Sequence, residues 1–255
     1  MTESNELKVL LAEDDPATRV LGKINLAKLG LNVDVACDGQ EALNMWLSGG
    51  HQAVLLDFNM PGLNGLEAAR AIREEEAKRG ASRSVIILLT AKPMEQIEVL
   101  KTRGIVDSLI SKPVNYSEIC QMLEDIAPVG GEAAAPESSA ARNDEKPPIN
   151  LDELAQNVGQ DSLWEIAELF VTQAGKYIRE MEDAVAKNDG ESISRAAHKL
   201  KGSSAQYTAH ALVAPSEYLQ NSCGHDVARD AREKIDLLKR ELEIVSSYIK
   251  EQKAG

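Results

Sequence analysis

Ala53-Val54-Leu55-Leu56-Asp57-Phe58-Asn59-Met60-Pro61-Gly62-Leu63-Asn64-Gly65 decides the fold. Four apolar residues run straight into one carboxylate, as in a strand buried on both faces. Met60-Pro61-Gly62 then turns the chain and Gly65 starts a helix, so Asp57 is predicted at the carboxyl tip of a central parallel strand. Ligands of open α/β sheets bind at that edge. Taken alone, such an acid is often only a turn-former or a helix cap, so its meaning depends on the company it keeps.

The flanking sequence repeats the same unit. Lys8 to Ala12 is an apolar strand that ends in Glu13-Asp14-Asp15. Pro16 opens a helix through Val20, Ile24, Ala27 and Leu29 that stops at Gly30, with proline inside the start and glycine past the end. Asn32 to Ala36 alternates as a second strand, and a helix follows over Gly39 to Leu47. After Asp57 a helix begins at Gly65 and turns highly charged at Glu74-Glu75-Glu76-Ala77-Lys78-Arg79, which reads as a solvated end. Ser84 to Leu89 is the fourth strand, ending at Thr90. A helix is expected over Ile97 to Arg103, a fifth strand over Ser108 to Ser111 before Lys112-Pro113, and a last helix over Tyr116 to Ile126. Strict alternation with right-handed crossovers predicts an α/β doubly wound, five-stranded parallel sheet.

At 255 residues there is room for two domains, and the 43% hydrophobic content is ordinary for a globular protein. The net charge of −13 is spread over both halves and neither is basic, which argues against nucleic acid as a partner. Cys37, Cys120 and Cys223 are odd in number and far apart, so neither a disulfide framework nor a zinc site is expected. The polar first residues and the lack of a long apolar run predict a cytoplasmic chain that makes no membrane contact.

The predicted strand order gathers Glu13, Asp14, Asp57, Thr90 and Lys112 on one carboxyl edge. Carboxylates that close resist joint ionisation unless a cation compensates them, and oxygen-only ligands suit Mg²⁺. With Lys112 holding phosphoryl oxygens and Thr90 donating a hydrogen bond, Asp57 can attack phosphorus to form an aspartyl phosphate.

At these residues, positions 7–127 resemble the receiver domain of bacterial response regulators, a flavodoxin-like fold. The resemblance rests on Glu13-Asp14, on Asp57 followed by Met60-Pro61 and Gly65, on Thr90-Ala91, and on Lys112-Pro113. It implies that Asp57 is the phosphoacceptor and that Glu13, Asp14, Asp57 and the backbone carbonyl of Asn59 hold Mg²⁺. It also implies a cis peptide before Pro113, and it puts Asn59 and Lys92 where receivers vary residues that tune acyl-phosphate lifetime. Leu109 departs from the pattern: many receivers place there a Tyr or Phe that swings inward on phosphorylation.

Pro128 to Pro148, with Gly130-Gly131, Ala133-Ala134-Ala135-Pro136 and Pro147-Pro148, lacks large apolar residues, and residues 129–150 are predicted to be a flexible linker. The expected division is therefore 1–128, 129–150 and 151–255. From Leu151 the pattern is helical throughout. A short helix over Leu151 to Val158 precedes a long one capped by Asp161. Further helices are expected over Glu191 to Tyr207, His210 to Ser222 and Val227 to Lys250, giving an all-α four-helix bundle. On the third helix the stripe Ile193, Ala197, Leu200, Ser204 and Tyr207 faces inward, leaving His198 outside with Lys201 at i+3 and Gly202 at i+4.

His198-Lys199-Leu200-Lys201-Gly202-Ser203-Ser204 is similar to the motif of histidine phosphotransfer domains over about residues 150–250. The resemblance implies that His198 is phosphorylated and that Lys201 and Gly202 shape its surroundings. His51, His210 and the Cys223-Gly224-His225 group are expected to be structural or solvated. The combined expectation is a phosphorelay protein: Asp57 receives phosphoryl from a sensor histidine kinase and His198 exchanges it with a receiver aspartate. Hybrid histidine kinases often end in the same order of domains. Two alternatives are a Mg-dependent aspartate-nucleophile phosphohydrolase, which usually needs an acid where Asn59 stands, and a docking protein with a passive bundle. No ATP-binding loop is visible.

Overall fold

Five short apolar runs form one parallel sheet in the order β2-β1-β3-β4-β5. In this computed structural model, residues 7–91, 104–124, 147–221 and 227–254 are described. The strands are β1 (Lys8–Ala12), β2 (Asn32–Ala36), β3 (Ala53–Asp57), β4 (Val85–Thr90) and β5 (Ser108–Ser111). The helices are α1 (Pro16–Lys28), α2 (Gly39–Gly49), α3 (Gly65–Arg79) and α4 (Tyr116–Glu124). The helix expected over Ile97 to Arg103, Lys92, and nearly all of the linker lie outside the described residues. So do Cys223 and His225.

The sheet is wound on both sides because its strands are apolar on both sides. Leu10, Val54, Leu56, Ile86 and Leu88 pack on one face with Ala42 and Trp46 of α2 and with Ala69 and Ile72 of α3. Val9, Leu11, Leu55, Ile87 and Leu89 pack on the other with Leu26 of α1 and with Ile119 and Leu123 of α4. Leu109 belongs to the first of these faces and is buried. The charged end of α3 is less solvated than its composition suggests. Glu76 is buried because it accepts the Ser84 amide hydrogen at 2.7 Å and pairs with Arg73 at 2.7 Å.

The chain divides into two compact units, Met1–Ser138 and Ser139–Gly255. In the second, α5 (Leu151–Val158) packs on α6 (Gln160–Ala186). Helices α6, α7 (Gly190–Gln206), α8 (Val213–Asn221) and α9 (Val227–Ala254) close a four-membered ring of neighbours. The core comprises Phe170, Tyr177 and Met181 of α6, Leu200 of α7, Leu219 of α8, and Leu238 and Val245 of α9. Phe170 and Tyr207 stack with ring centroids 4.7 Å apart.

Two predicted helix starts are corrected. Helix α6 begins at Gln160, before Asp161, and its N-cap Gly159 makes no side-chain bond; Asp161 instead contributes charge to the first turn. His210 opens only a 3₁₀ turn (His210–Leu212), after which the α-helix runs from Val213. Among the described residues, no helix is long and apolar enough to cross a membrane.

Candidate functional site

The sheet crosses over at β1 and β3, whose carboxyl ends carry the acids. Glu13 leaves β1 and donates its amide hydrogen to the Ala36 carbonyl at 3.2 Å, which fixes the turn against the end of β2. Asp57 ends β3, with Phe58 N bonded to the Leu89 carbonyl at 2.8 Å. Its backbone leaves no room for a side chain at residue 65: a Cβ on Gly65 would lie 2.1 Å from the Asp57 carbonyl oxygen. The requirement for glycine there is steric. Asn64 and Glu67 close a capping box that starts α3 directly after this contact.

All five sheet-edge residues predicted from the sequence occupy that edge. Ligand oxygens of Glu13, Asp14 and Asp57 lie within 4.8 Å of one another. Lys112 Nζ bridges two of these residues, at 2.7 Å from Glu13 Oε2 and 2.9 Å from Asp57 Oδ2. Thr90 is buried at the end of β4, where its carbonyl accepts the Lys112 amide hydrogen at 2.7 Å. The Lys112–Pro113 peptide is cis. Asn59 donates its amide hydrogen to Asp57 Oδ1 at 3.3 Å.

Glu13 is 3% exposed and Asp57 6%. Burial pushes the Glu13 carboxyl up to about 8, held back by Lys112 and helped by the nearby charge of Asp57. Burial opposes the Lys112 charge, but Glu13 and Asp57 outweigh it and hold the ammonium well above the usual lysine range. One ammonium thus faces a cluster of three carboxyl groups. An all-oxygen cluster carrying more negative charge than its single lysine can neutralise fits a hard divalent cation.

Two neighbours carried no sequence signal. Arg19 of α1 donates from Nη1 to the Glu13 carbonyl at 2.7 Å and to the Asp14 carbonyl at 3.4 Å, so it braces the acidic turn. Asp15, buried beside the cluster, is used as the N-cap of α1 and accepts from Thr18 N at 2.6 Å.

In the bundle, Ile193, Ala197, Leu200, Ser204 and Tyr207 are buried, as the helical spacing predicts. His198, Lys201 and Gly202 of α7 are only partly buried, so the imidazole is not sealed inside the core. A Cβ placed on Gly202 would meet nothing within 4 Å. Lys201 Nζ lies 3.3 Å from Glu217 Oε1 on α8, a partner the sequence did not reveal. The remaining histidines stand apart: His51 is buried with Nε2 3.0 Å from Asp34 Oδ2, and His210 is exposed.

A family model for the response regulator receiver domain matches residues 9–124, and one for the Hpt domain matches residues 165–248. The chain is a receiver domain followed by an Hpt domain. These are the modules of two-component phosphorelay signalling. The receiver–Hpt chain is 28% identical to the virulence sensor protein BvgS of Bordetella bronchiseptica over 217 residues, which is 81% of this chain and 17% of BvgS. It is 25% identical to the aerobic respiration control sensor protein ArcB of Escherichia coli O157:H7 over 199 residues, 77% of this chain and 25% of ArcB. It therefore spans about a quarter or less of these relatives' lengths. Among solved structures, the receiver domain of sensor histidine kinase PA1611 from Pseudomonas aeruginosa has magnesium coordinated in its active-site cleft. That domain is similar over 47% of this chain and 96% of its own, at 28% identity and a TM-score of 0.42.

Proposed function

We propose that this receiver–Hpt chain passes a phosphoryl group between proteins through two nucleophiles, Asp57 and His198. The observation that carries the proposal is the convergence of Glu13, Asp14, Asp57 and Lys112 on one sheet edge. In the first step an Asp57 carboxylate oxygen attacks phosphorus of a phosphohistidine on a sensor histidine kinase. A P–O bond forms, the P–N bond breaks, and the electron pair returns to the kinase imidazole. Lys112, already bridging Asp57 and Glu13, holds the transferred oxygens, while the Thr90 hydroxyl donates a hydrogen bond to them. Glu13, Asp14, Asp57 and the Asn59 carbonyl would hold Mg²⁺, which when bound supplies further neutralisation of phosphoryl charge.

In the second step one ring nitrogen of neutral His198 attacks an aspartyl phosphate on a receiver. The aspartate leaves as carboxylate, and the other ring nitrogen keeps its hydrogen. Lys201 attracts the phosphoryl group, and the space at Gly202 admits the receiver's surface. The partners are thus a sensor histidine kinase and a receiver, with neither nucleic acid nor membrane, and the linker serves as the tether as far as Ile149, which is buried, and Asn150, which caps α5. The cytoplasm, where thiols outside any disulfide such as Cys37 and Cys120 persist, is the proposed compartment. A phosphohydrolase is not favoured: Asn59 occupies the place of its second acid, and residues 9–124 match receivers.

Phosphotransfer profiling against candidate kinases and receivers tests the proposal, using the wild-type chain, Asp57→Ala and His198→Gln. Asp57→Ala is expected to abolish uptake from the kinase, and His198→Gln to abolish acid-labile phosphohistidine and onward transfer. Label taken up from ATP and Mg²⁺ without a kinase, or a His198→Gln chain that still relays, would refute it.

A further inference from the structure

Lys201 is the cation through which α7 is proposed to attract phosphate, yet its charge is already engaged. Its Nζ lies 3.3 Å from Oε1 of Glu217, 16 residues later on α8. The lysine side chain is 20% exposed and the glutamate 56%. Lys201 is three residues from His198 on the same helix, which puts both side chains on one face. Gly202 leaves that face open. One ammonium therefore serves two anions, the Glu217 carboxylate and any phosphoryl group carried by His198.

We propose that Glu217 is a positioning residue that competes with the phosphoryl group on His198 for Lys201, and so keeps that group easy to give away. The inference rests on His198 being a phosphoacceptor. While His198 is bare, Glu217 neutralises Lys201 and holds it against α8. Once phosphorus is bound, Lys201 must be shared between the Glu217 carboxylate and the new dianion. That sharing raises the free energy of phosphohistidine relative to what an unshared lysine would give. A carrier that must release what it receives is served by such an opposing charge, whereas an unopposed lysine would make His198 a sink.

The test uses the full chain with Asp57→Ala, so that His198 is the only proposed acceptor, and phosphoramidate as the small donor. The exchange balances as phosphoramidate plus imidazole giving phosphohistidine plus ammonia, one P–N bond breaking as another forms. Its equilibrium constant is read by ³¹P NMR at fixed ammonia. Adding Glu217→Gln, which keeps a hydrogen-bonding side chain but removes the charge, is expected to raise that constant about two- to fivefold, the range of exposed ion pairs. The gain should shrink in 1 M salt. It should also vanish in a Lys201→Gln background, as a double-mutant cycle requires if the glutamate acts through the lysine. Were Glu217 only a tie between α7 and α8, Glu217→Gln would lower bundle stability and leave the constant unchanged, which overturns the proposal. A gain that persists without Lys201 overturns it too. If the Asp57→Ala chain forms no acid-labile phosphohistidine, the phosphoacceptor reading itself falls, and this inference with it.

Discussion

The Lys112 ammonium and the Glu13 carboxyl group, 99 residues apart in the chain, meet at 2.7 Å, and the same nitrogen reaches Asp57 at 2.9 Å. One charge thereby ties the end of β5 to the ends of β1 and β3. Replacing Lys112 by Ala leaves two buried acids without their shared counter-charge, and breaking such a pair costs about 3 kcal/mol. Chemical denaturation in chelator should show a lower midpoint of that size for the receiver unit. Excess Mg²⁺ should restore part of it, because a cation replaces the missing charge. Lys112→Arg should lose less. An unchanged midpoint for Lys112→Ala would show that the bridge contributes nothing.

The raised Glu13 carboxyl predicts a pH dependence of definite sign. In the unfolded chain this group ionises near 4.5, whereas in the metal-free fold burial keeps it protonated until about 8. Between those values the unfolded state has released a proton that the native state retains. Stability without metal is therefore fullest below pH 4.5 and is lost as pH rises through 8. Metal binding must expel the same proton, so affinity should climb by up to about tenfold per pH unit below 8 and level off above it. Titrating the metal by calorimetry from pH 6 to 9 checks this, with Glu13→Gln expected to bind weakly and without the slope. A flat profile in the wild-type chain would contradict the burial argument.

Gly65 reports on the same site from the backbone side. Because a Cβ there would lie 2.1 Å from the Asp57 carbonyl oxygen, Gly65→Ala must push apart the end of β3 and the start of α3. Overpacking of this kind costs about 1–3 kcal/mol. The displaced atoms belong to the proposed nucleophile's own residue, so phosphoryl uptake should fall by more than the stability loss explains. Kinase-driven labelling of Asp57, compared at temperatures where both proteins are fully folded, separates the two effects. Full labelling of a stable Gly65→Ala chain would show that the contact is not critical.

What could be read from the chain follows the physics of each element. Strand β3 was legible to the residue because burial on both faces leaves a continuous apolar run with an abrupt polar end. The carboxyl edge followed, since strict alternation puts every strand end on one side. Pairings across distant sequence were not legible. Nothing in the run Glu74-Glu75-Glu76 distinguishes Glu76, whose burial depends on Arg73 and on the Ser84 amide meeting it in space. Asp161 looked like a cap because its side chain suits one, but the helix begins a residue earlier behind Gly159. Arg19 and Glu217 were hidden for the same reason, as their partners are backbone carbonyls and a lysine on another helix.

Gly202 gives a prediction in which stability and function move in opposite directions. A methyl group there meets nothing within 4 Å, and glycine in a helix interior is worse than alanine by about 1 kcal/mol, so Gly202→Ala should stabilise the bundle by roughly that amount. A longer side chain should also be tolerated by the fold. It would, however, stand one turn from His198 on the face a receiver must approach. In the Asp57→Ala background, Gly202→Gln should therefore load from phosphoramidate as well as its parent does. Exchange with a phosphorylated receiver should slow by at least about tenfold, because the reacting atoms are held too far apart. Thermal unfolding, small-donor loading and protein-donor transfer measured on the same sample distinguish a blocked approach from a damaged bundle. Normal receiver transfer by Gly202→Gln would mean that the open space beside His198 is not where the partner lies.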